Sequence, residues 1–252
     1  MINSSLLILI AGIIFFAAGT GCVILSISNG NRTRKRLLNM TELLIGMIEA
    51  GDPNLDGHSL HVHGLTMLLY DYLPLKYSLG IDRESLDYAS LLIDIGKLGV
   101  SGKIIGKTGK LDNKEWELMR RHPELGANLI KNAGDFEKIS TWVLYHHERV
   151  DGGGYYKLKK DEIPVPSRMM AIADTFSAIT MARSYKPSYT YEDAMAELKL
   201  VAGSQLDEEL VEIFCKIPVK RVASKMDDVH EKLKKYADYS LQSEAPAAED
   251  VP

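Results

Sequence analysis

The first hydrophobic pattern along the chain is a continuous one. Leu6 to Ile27 carries no charge and is apolar on nearly every face, long enough as a helix to cross a hydrocarbon core of about 30 Å. Arg32, Arg34, Lys35 and Arg36 follow closely. Basic flanks stay on the cytoplasmic side. The pattern therefore predicts one transmembrane helix over residues 6–27, with the N-terminus outside a bacterial inner membrane and the remainder cytoplasmic. No basic residue precedes the run, as a secretory signal would require. Residues 28–40 read as a basic juxtamembrane linker.

From Leu37 the apolar positions recur at helical spacing instead. Gly51-Asp52-Pro53 breaks the pattern, and Asp56 is placed to cap a new helix near Gly57-His58. Ile81 to Val100 reads as one helix that grows apolar toward its end. Asp112-Asn113-Lys114-Glu115 has the form of a capping box. After Pro164 and Pro166, Ser167 is placed to cap a helix from Arg168 to Met181. Further helices read over 190–201 and 207–216, and a polar one with a thin apolar stripe over 226–241. No period-2 alternation occurs that would signal strands. The expectation is an all-α bundle over residues 41–225, a C-terminal helix over 226–241 and an acidic disordered tail over 242–252.

Composition narrows the functional classes. The chain has 252 residues, 46% of them apolar, and a net charge of −4. That balance argues against a DNA or RNA surface, which would gather lysine and arginine on a basic domain. Only two cysteines are present, Cys22 and Cys215, with no metal-type spacing, which fits a reducing compartment.

Candidate chemistry centres on His146-His147-Glu148-Arg149-Val150-Asp151-Gly152-Gly153-Gly154-Tyr155-Tyr156. Imidazole is the commonest biological metal ligand, and two adjacent rings concentrate it at one place. The glycines end the helix that carries them. His58 and His61 share a helix face, while His63 points elsewhere. Asp94 is flanked by Leu91, Leu92, Ile93 and Ile95, and Asp174 stands inside a second apolar helix. A carboxylate in such surroundings needs a metal or a cationic partner. For Asp94 the plain alternative is an ion pair with Lys97. His122, before Pro123, sits where a helix bends or restarts. His58, Asp94, His122, His146, His147 and Asp174 together exceed what one tetrahedral ion needs. They suit two cations sharing a carboxylate, an arrangement that clamps a phosphoryl group and activates water for in-line attack. Lys97, Arg183 and Lys186 are placed to hold phosphates. No phosphate-binding glycine loop or nucleophile elbow is present.

These residues, in this order, resemble the HD-GYP family, the branch of the HD phosphohydrolases that hydrolyses cyclic di-GMP. The likeness covers roughly residues 45–216. It is carried by Asp52…Gly57-His58-Ser59, Leu92-Ile93-Asp94-Ile95-Gly96-Lys97 and His122-Pro123-Glu124-Leu125-Gly126. The histidine-pair stretch to Tyr155, Ile163-Pro164…Ala173-Asp174, Arg183-Ser184-Tyr185-Lys186 and Ala202-Gly203-Ser204-Gln205-Leu206-Asp207 complete it. The resemblance implies a helical bundle with two divalent ions, iron or manganese. Asp94 would bridge them. His122, His146 and His147 would hold one ion, and His58 and Asp174 the other. Asp94 and Lys97 would be catalytic. Lys97, Arg183 and Lys186 would contact phosphates, and Gly154 and Tyr155 would shape the pocket. The implied partners are a cyclic dinucleotide, the membrane through residues 6–27, and a homodimer mate or signalling protein.

Four departures qualify it. Ile93 replaces the histidine of the family's His-Asp pair, so one ion loses a ligand. Tyr156 replaces the proline of the Gly-Tyr-Pro signature. His61 stands where an arginine is expected, and Asn54 where an acid would serve a third ion. Two functions follow: a membrane-anchored phosphodiesterase impaired by Ile93, or a catalytically inactive module that binds cyclic di-GMP or a protein partner.

Overall fold

The computed structural model describes residues 30–49, 57–107, 109–134, 136–181 and 189–241. The chain divides into two compact units, residues 1–41 and 42–252. In the first, the described residues 30–41 are helical. The apolar run 6–27 and the tail 242–252 lie outside the described residues, as do Asn54, Asp56, Arg183 and Lys186. Among the described residues no helix is long and apolar enough to cross a membrane.

The second unit is helical throughout its regular structure. In it residues 42–49 are helical (α1), followed by α2 (His58–Asp71), α3 (Leu75–Ser78), α4 (Arg83–Leu91), α5 (Gly102–Ile105) and α6 (Asn113–Met119). Then come α7 (His122–Lys131), α8 (Glu137–Leu144), α9 (Val165–Thr180), α10 (Tyr191–Val201), α11 (Glu208–Cys215) and α12 (Val219–Leu241). Among the described residues the only β pairings are the isolated bridges Asp151–Lys159 and Ala202–Leu206, as the absent alternation predicts. α2 packs on α4, α9 and α12, and α7 packs on α8 and on a 3-10 turn, Ile95–Gly99. Leu65, Leu69, Leu86, Met169, Ile172 and Phe214 fill the centre and are almost fully buried. Burying such side chains stabilises a fold by roughly 1.5–3 kcal/mol each.

Several starts agree with their capping residues. The Asp112 side chain accepts from the backbone amides of Lys114 and Glu115, and Glu115 reaches back to the Asp112 amide. Thr190 and Asp193 form the same box at α10. Other boundaries correct the sequence reading. The helix expected over 81–100 stops at Leu91, and its chain tightens into the 3-10 turn after Asp94. A close approach enforces that turn. A Cβ on Gly96 would lie 1.9 Å from the His122 carbonyl oxygen and 2.4 Å from the Gly126 amide nitrogen. Only glycine lets the Asp94 turn rest on the backbone of α7. α9 begins at Val165, before Ser167, because the two prolines suit a first turn whose amides need no helical partner. The Ser167 hydroxyl instead donates to the Trp142 carbonyl at 2.9 Å. α12 begins at Val219, seven residues earlier than expected, with the Pro218 carbonyl accepting from Arg221 and Val222. Val222 and Val229 are both buried, so the apolar stripe runs further back than Met226.

Candidate metal centre

Each candidate ligand is delivered by a helix end or a helix face. His58 is the first residue of α2 and His122 the first of α7. His146 and His147 follow the end of α8, Asp94 precedes the 3-10 turn, and Asp174 lies within α9. Folding brings all six together.

The three histidines of one half, His122, His146 and His147, hold their ligand atoms within 4.8 Å of one another. Two of the rings are oriented by backbone. His122 Nδ1 donates to the Met119 carbonyl at 2.8 Å, and His146 Nδ1 to the Val143 carbonyl at 2.6 Å. A carbonyl can only accept, so Nδ1 carries a proton in both rings, and a ring with that one proton presents a lone pair at Nε2. Those two Nε2 atoms face each other at 3.4 Å. Two lone pairs at that distance repel unless a cation lies between them. The donor set therefore fits a metal, by its own chemistry. Burial pushes the His146 ring down to about 4, and burial, followed by the neighbouring His146 ring competing for a proton, holds His147 well below the usual histidine range. Both rings are thus unprotonated and ready to ligate at neutral pH.

The other half is built from His58, Asp94 and Asp174. His58 Nε2 lies 2.9 Å from Asp174 Oδ1 and 3.6 Å from Asp94 Oδ2. Asp94 Oδ1 lies 3.3 Å from His122 Nε2. The two oxygens of Asp94 thus address different histidines, one in each half. Asp174 Oδ2 stands 3.9 Å from His147 Nδ1. Burial alone would raise Asp94, but the Lys97 ammonium beside it overturns that and holds the carboxyl well below its ordinary range. Burial likewise opposes ionisation of Asp174, and its bond to His58 reverses the sign. Lys97 Nζ sits 2.6 Å from Asp94 Oδ2, so the Asp94–Lys97 ion pair is present and coexists with the ligand arrangement.

The histidine-pair stretch then folds back as a wall. The Tyr155 ring lies 5.0 Å from His147, with the Arg120 guanidinium 4.5 Å over it. Gly154 is needed here, since a Cβ would meet Glu148 Cα at 2.6 Å. Glu148 pins this loop, its carboxylate accepting from the amides of Tyr156 at 2.7 Å and Leu158 at 2.6 Å. Beside Asp94 and Lys97 opens a cavity of about 330 Å³, lined also by Ile45, Ile48 and Glu49. A second, of about 180 Å³, lies beside His147, Asp174 and Tyr155.

Sequence reasoning missed three supporting residues. Glu148 was legible only as a neighbour of the histidine pair. Glu49 is buried on α1, where its Oε1 accepts from the Ser59 amide at 2.9 Å and so supplies a cap for α2. Ser177 is fully buried beside His58, and its only signal is its position one helical turn after Asp174. Ile93 is 1% exposed and belongs to the apolar core. His63 leaves the site and meets the Ser90 hydroxyl at 3.0 Å.

The HD domain family matches residues 42–210. The chain belongs to that family. A cyclic di-GMP phosphodiesterase from Vibrio cholerae serotype O1 is 32% identical to this HD domain protein over 193 residues, 71% of this chain and 39% of that one. A 3'3'-cGAMP-specific phosphodiesterase of the same organism is 36% identical over 135 residues, 52% of this chain and 26% of that one. The HD domain protein thus spans about two fifths or less of the length of these relatives. A solved HDG"Y"P protein from Bdellovibrio bacteriovorus superposes with a TM-score of 0.52 at 16% identity, covering 66% of this chain and 53% of that one, a likeness of fold. The HD-GYP resemblance read from the motifs is therefore borne out.

Proposed function

We propose that this HD domain protein is a metal-dependent phosphodiesterase acting on a cyclic dinucleotide, cyclic di-GMP by preference. The observation that carries the reading is the division of Asp94, one oxygen toward His122 at 3.3 Å and the other toward His58 at 3.6 Å. His122, His146 and His147 would hold one ion, and His58 and Asp174 the other, with Asp94 between. Iron or manganese there would supply Lewis acidity and make a water nucleophilic at neutral pH. The chain's own groups do the rest. Lys97 sets a positive charge at the Asp94 edge of the larger cavity, where a bridging phosphate would develop charge in the transition state. By the family resemblance Arg183 and Lys186, which lie outside the described residues, would contact the phosphates as well. Tyr155, braced by Arg120 and by the Glu148-pinned loop, walls the His147 side and limits water access.

The finer placement belongs to the same proposal. Residues 6–27 anchor the chain in the bacterial inner membrane, with the HD domain in the cytoplasm, where a homodimer mate or signalling protein would reach it. A second reading, a non-hydrolysing cyclic di-GMP sensor, is favoured by Ile93, whose core packing leaves the His58 half short of a ligand, and by the Lys97 ammonium lying on Asp94 Oδ2.

The deciding experiment is turnover of cyclic di-GMP by the full chain in detergent, prepared anaerobically with iron or manganese. Linear or mononucleotide product that disappears in Asp94→Ala is the expected result. Tight binding of the intact dinucleotide without product would establish the sensor instead.

A further inference from the structure

His58 is the one ligand-candidate ring whose orienting contact is a side-chain hydroxyl. Its Nδ1 lies 3.0 Å from Ser177 Oγ, and the Nδ1 of His61 lies 3.0 Å from the same oxygen. All three side chains are buried, Ser177 completely. The hydroxyl also stands 3.3 Å from the sulfur of Met181, a weak acceptor. The arrangement comes from two helix periods meeting. His58 and His61 are three residues apart on α2, and Asp174 and Ser177 three apart on α9.

A carbonyl fixes the tautomer of the ring that touches it, but a hydroxyl does not, because it has one proton to give and lone pairs to receive. Two proton patterns satisfy the cluster. In the first, Ser177 donates to His58 Nδ1, His61 Nδ1 donates to Ser177, and His58 Nε2 carries a proton that it gives to Asp174 Oδ1, 2.9 Å away. In the second, His58 Nδ1 carries the proton and donates to Ser177, which still accepts from His61 Nδ1 and turns its own hydroxyl proton to Met181. His58 Nε2 is then a bare lone pair facing Asp94 and Asp174. One proton leaves Nε2, one arrives at Nδ1, and none is consumed.

We propose that Ser177 is a positioning residue, a hydroxyl rotor shared with His61 that lets His58 exchange tautomers when a cation enters between Asp94 and Asp174. Ser177 would touch neither cation nor substrate. The inference rests on the metal-centre reading above, but not on phosphodiester hydrolysis.

The test uses the full chain in detergent with ¹⁵N-labelled histidine and Zn²⁺ as a diamagnetic probe. The expected result is an Nε2–H tautomer for His58 without cation and an Nδ1–H tautomer after Zn²⁺. Ser177→Ala should weaken Zn²⁺ at the His58 half by about 10–100-fold, the usual scale for losing a hydrogen-bond partner of a ligand. It should leave the three-histidine half unchanged, and Ser177→Thr, which keeps the hydroxyl, should recover part of the loss. An Nδ1–H tautomer in the cation-free wild-type protein would overturn the proposal without any variant. So would equal Zn²⁺ affinity in Ser177→Ala. Absence of Zn²⁺ from both halves would overturn the metal centre along with it, whereas occupancy of the three-histidine half alone, indifferent to Ser177, would sink the rotor only.

Discussion

The two halves of the candidate centre are built on different principles. In the three-histidine half, backbone carbonyls of Met119 and Val143 lock two rings with their lone pairs inward. In the other half, His58 leans on a rotating hydroxyl and already bonds Asp174 at 2.9 Å. The first half is arranged before any ion arrives, and the second must rearrange to receive one. Preorganisation lowers the free-energy cost of binding, so the two halves should differ in affinity for a cation.

The largest expected effect comes from removing what the halves share. Asp94→Ala should strip metal from both, lowering any turnover by more than about 100-fold, with metal content by mass spectrometry of the native protein as the check. Next, single-half variants should separate. His122→Ala should abolish the tighter site, and His58→Ala only the weaker, in a two-step titration by calorimetry. Equal losses in both variants would break the comparison. Gly96→Ala should disturb both halves together, because its Cβ would collide with the backbone at His122 and Gly126. A destabilisation of about 3 kcal/mol or more, read from urea unfolding, fits a clash that no side chain can relieve.

The smallest effect is on pH dependence. Burial, first among the causes, holds His61 and His63 down to about 3. An unfolded histidine titrates near 6.5. The folded state therefore binds fewer protons than the unfolded one between those values. The stabilisation is complete above about pH 6.5 and is lost as pH falls toward 3. At pH 5 the loss is roughly 2 kcal/mol per ring. Unfolding of chelator-treated protein at pH 7.5 and 5 measures it. His63→Gln should remove part of the slope without touching the metal centre, since that ring lies outside it.

Much of this was legible in the chain itself. The all-α class followed from apolar spacing, and the capping box at Asp112 marked the start of α6 because its chemistry is local. The six candidate ligands stood out as histidines and acids in apolar or glycine-bounded contexts, and folding gathers them. What stayed hidden depends on contacts between distant segments. The end of α4 at Leu91 is set by α7, thirty residues on. Ser167 has capping chemistry but spends its hydroxyl on Trp142. Glu49 and Ser177 are ordinary residues until α1 and α9 pack beside α2, and no local pattern marks them.

The contact at Gly96 has a consequence for how this centre can change over time. The turn carrying Asp94 and the helix end carrying His122 meet main chain to main chain, with no side chain as a spacer. A joint of that kind has no adjustable part. Drift in the surrounding core can alter volumes without resetting the gap between Asp94 and His122. The set of candidate ligands could therefore change in membership while the frame that spaces the remaining ones keeps its dimensions. Any adaptation to a different ion would have to be made by exchanging ligands, not by moving them.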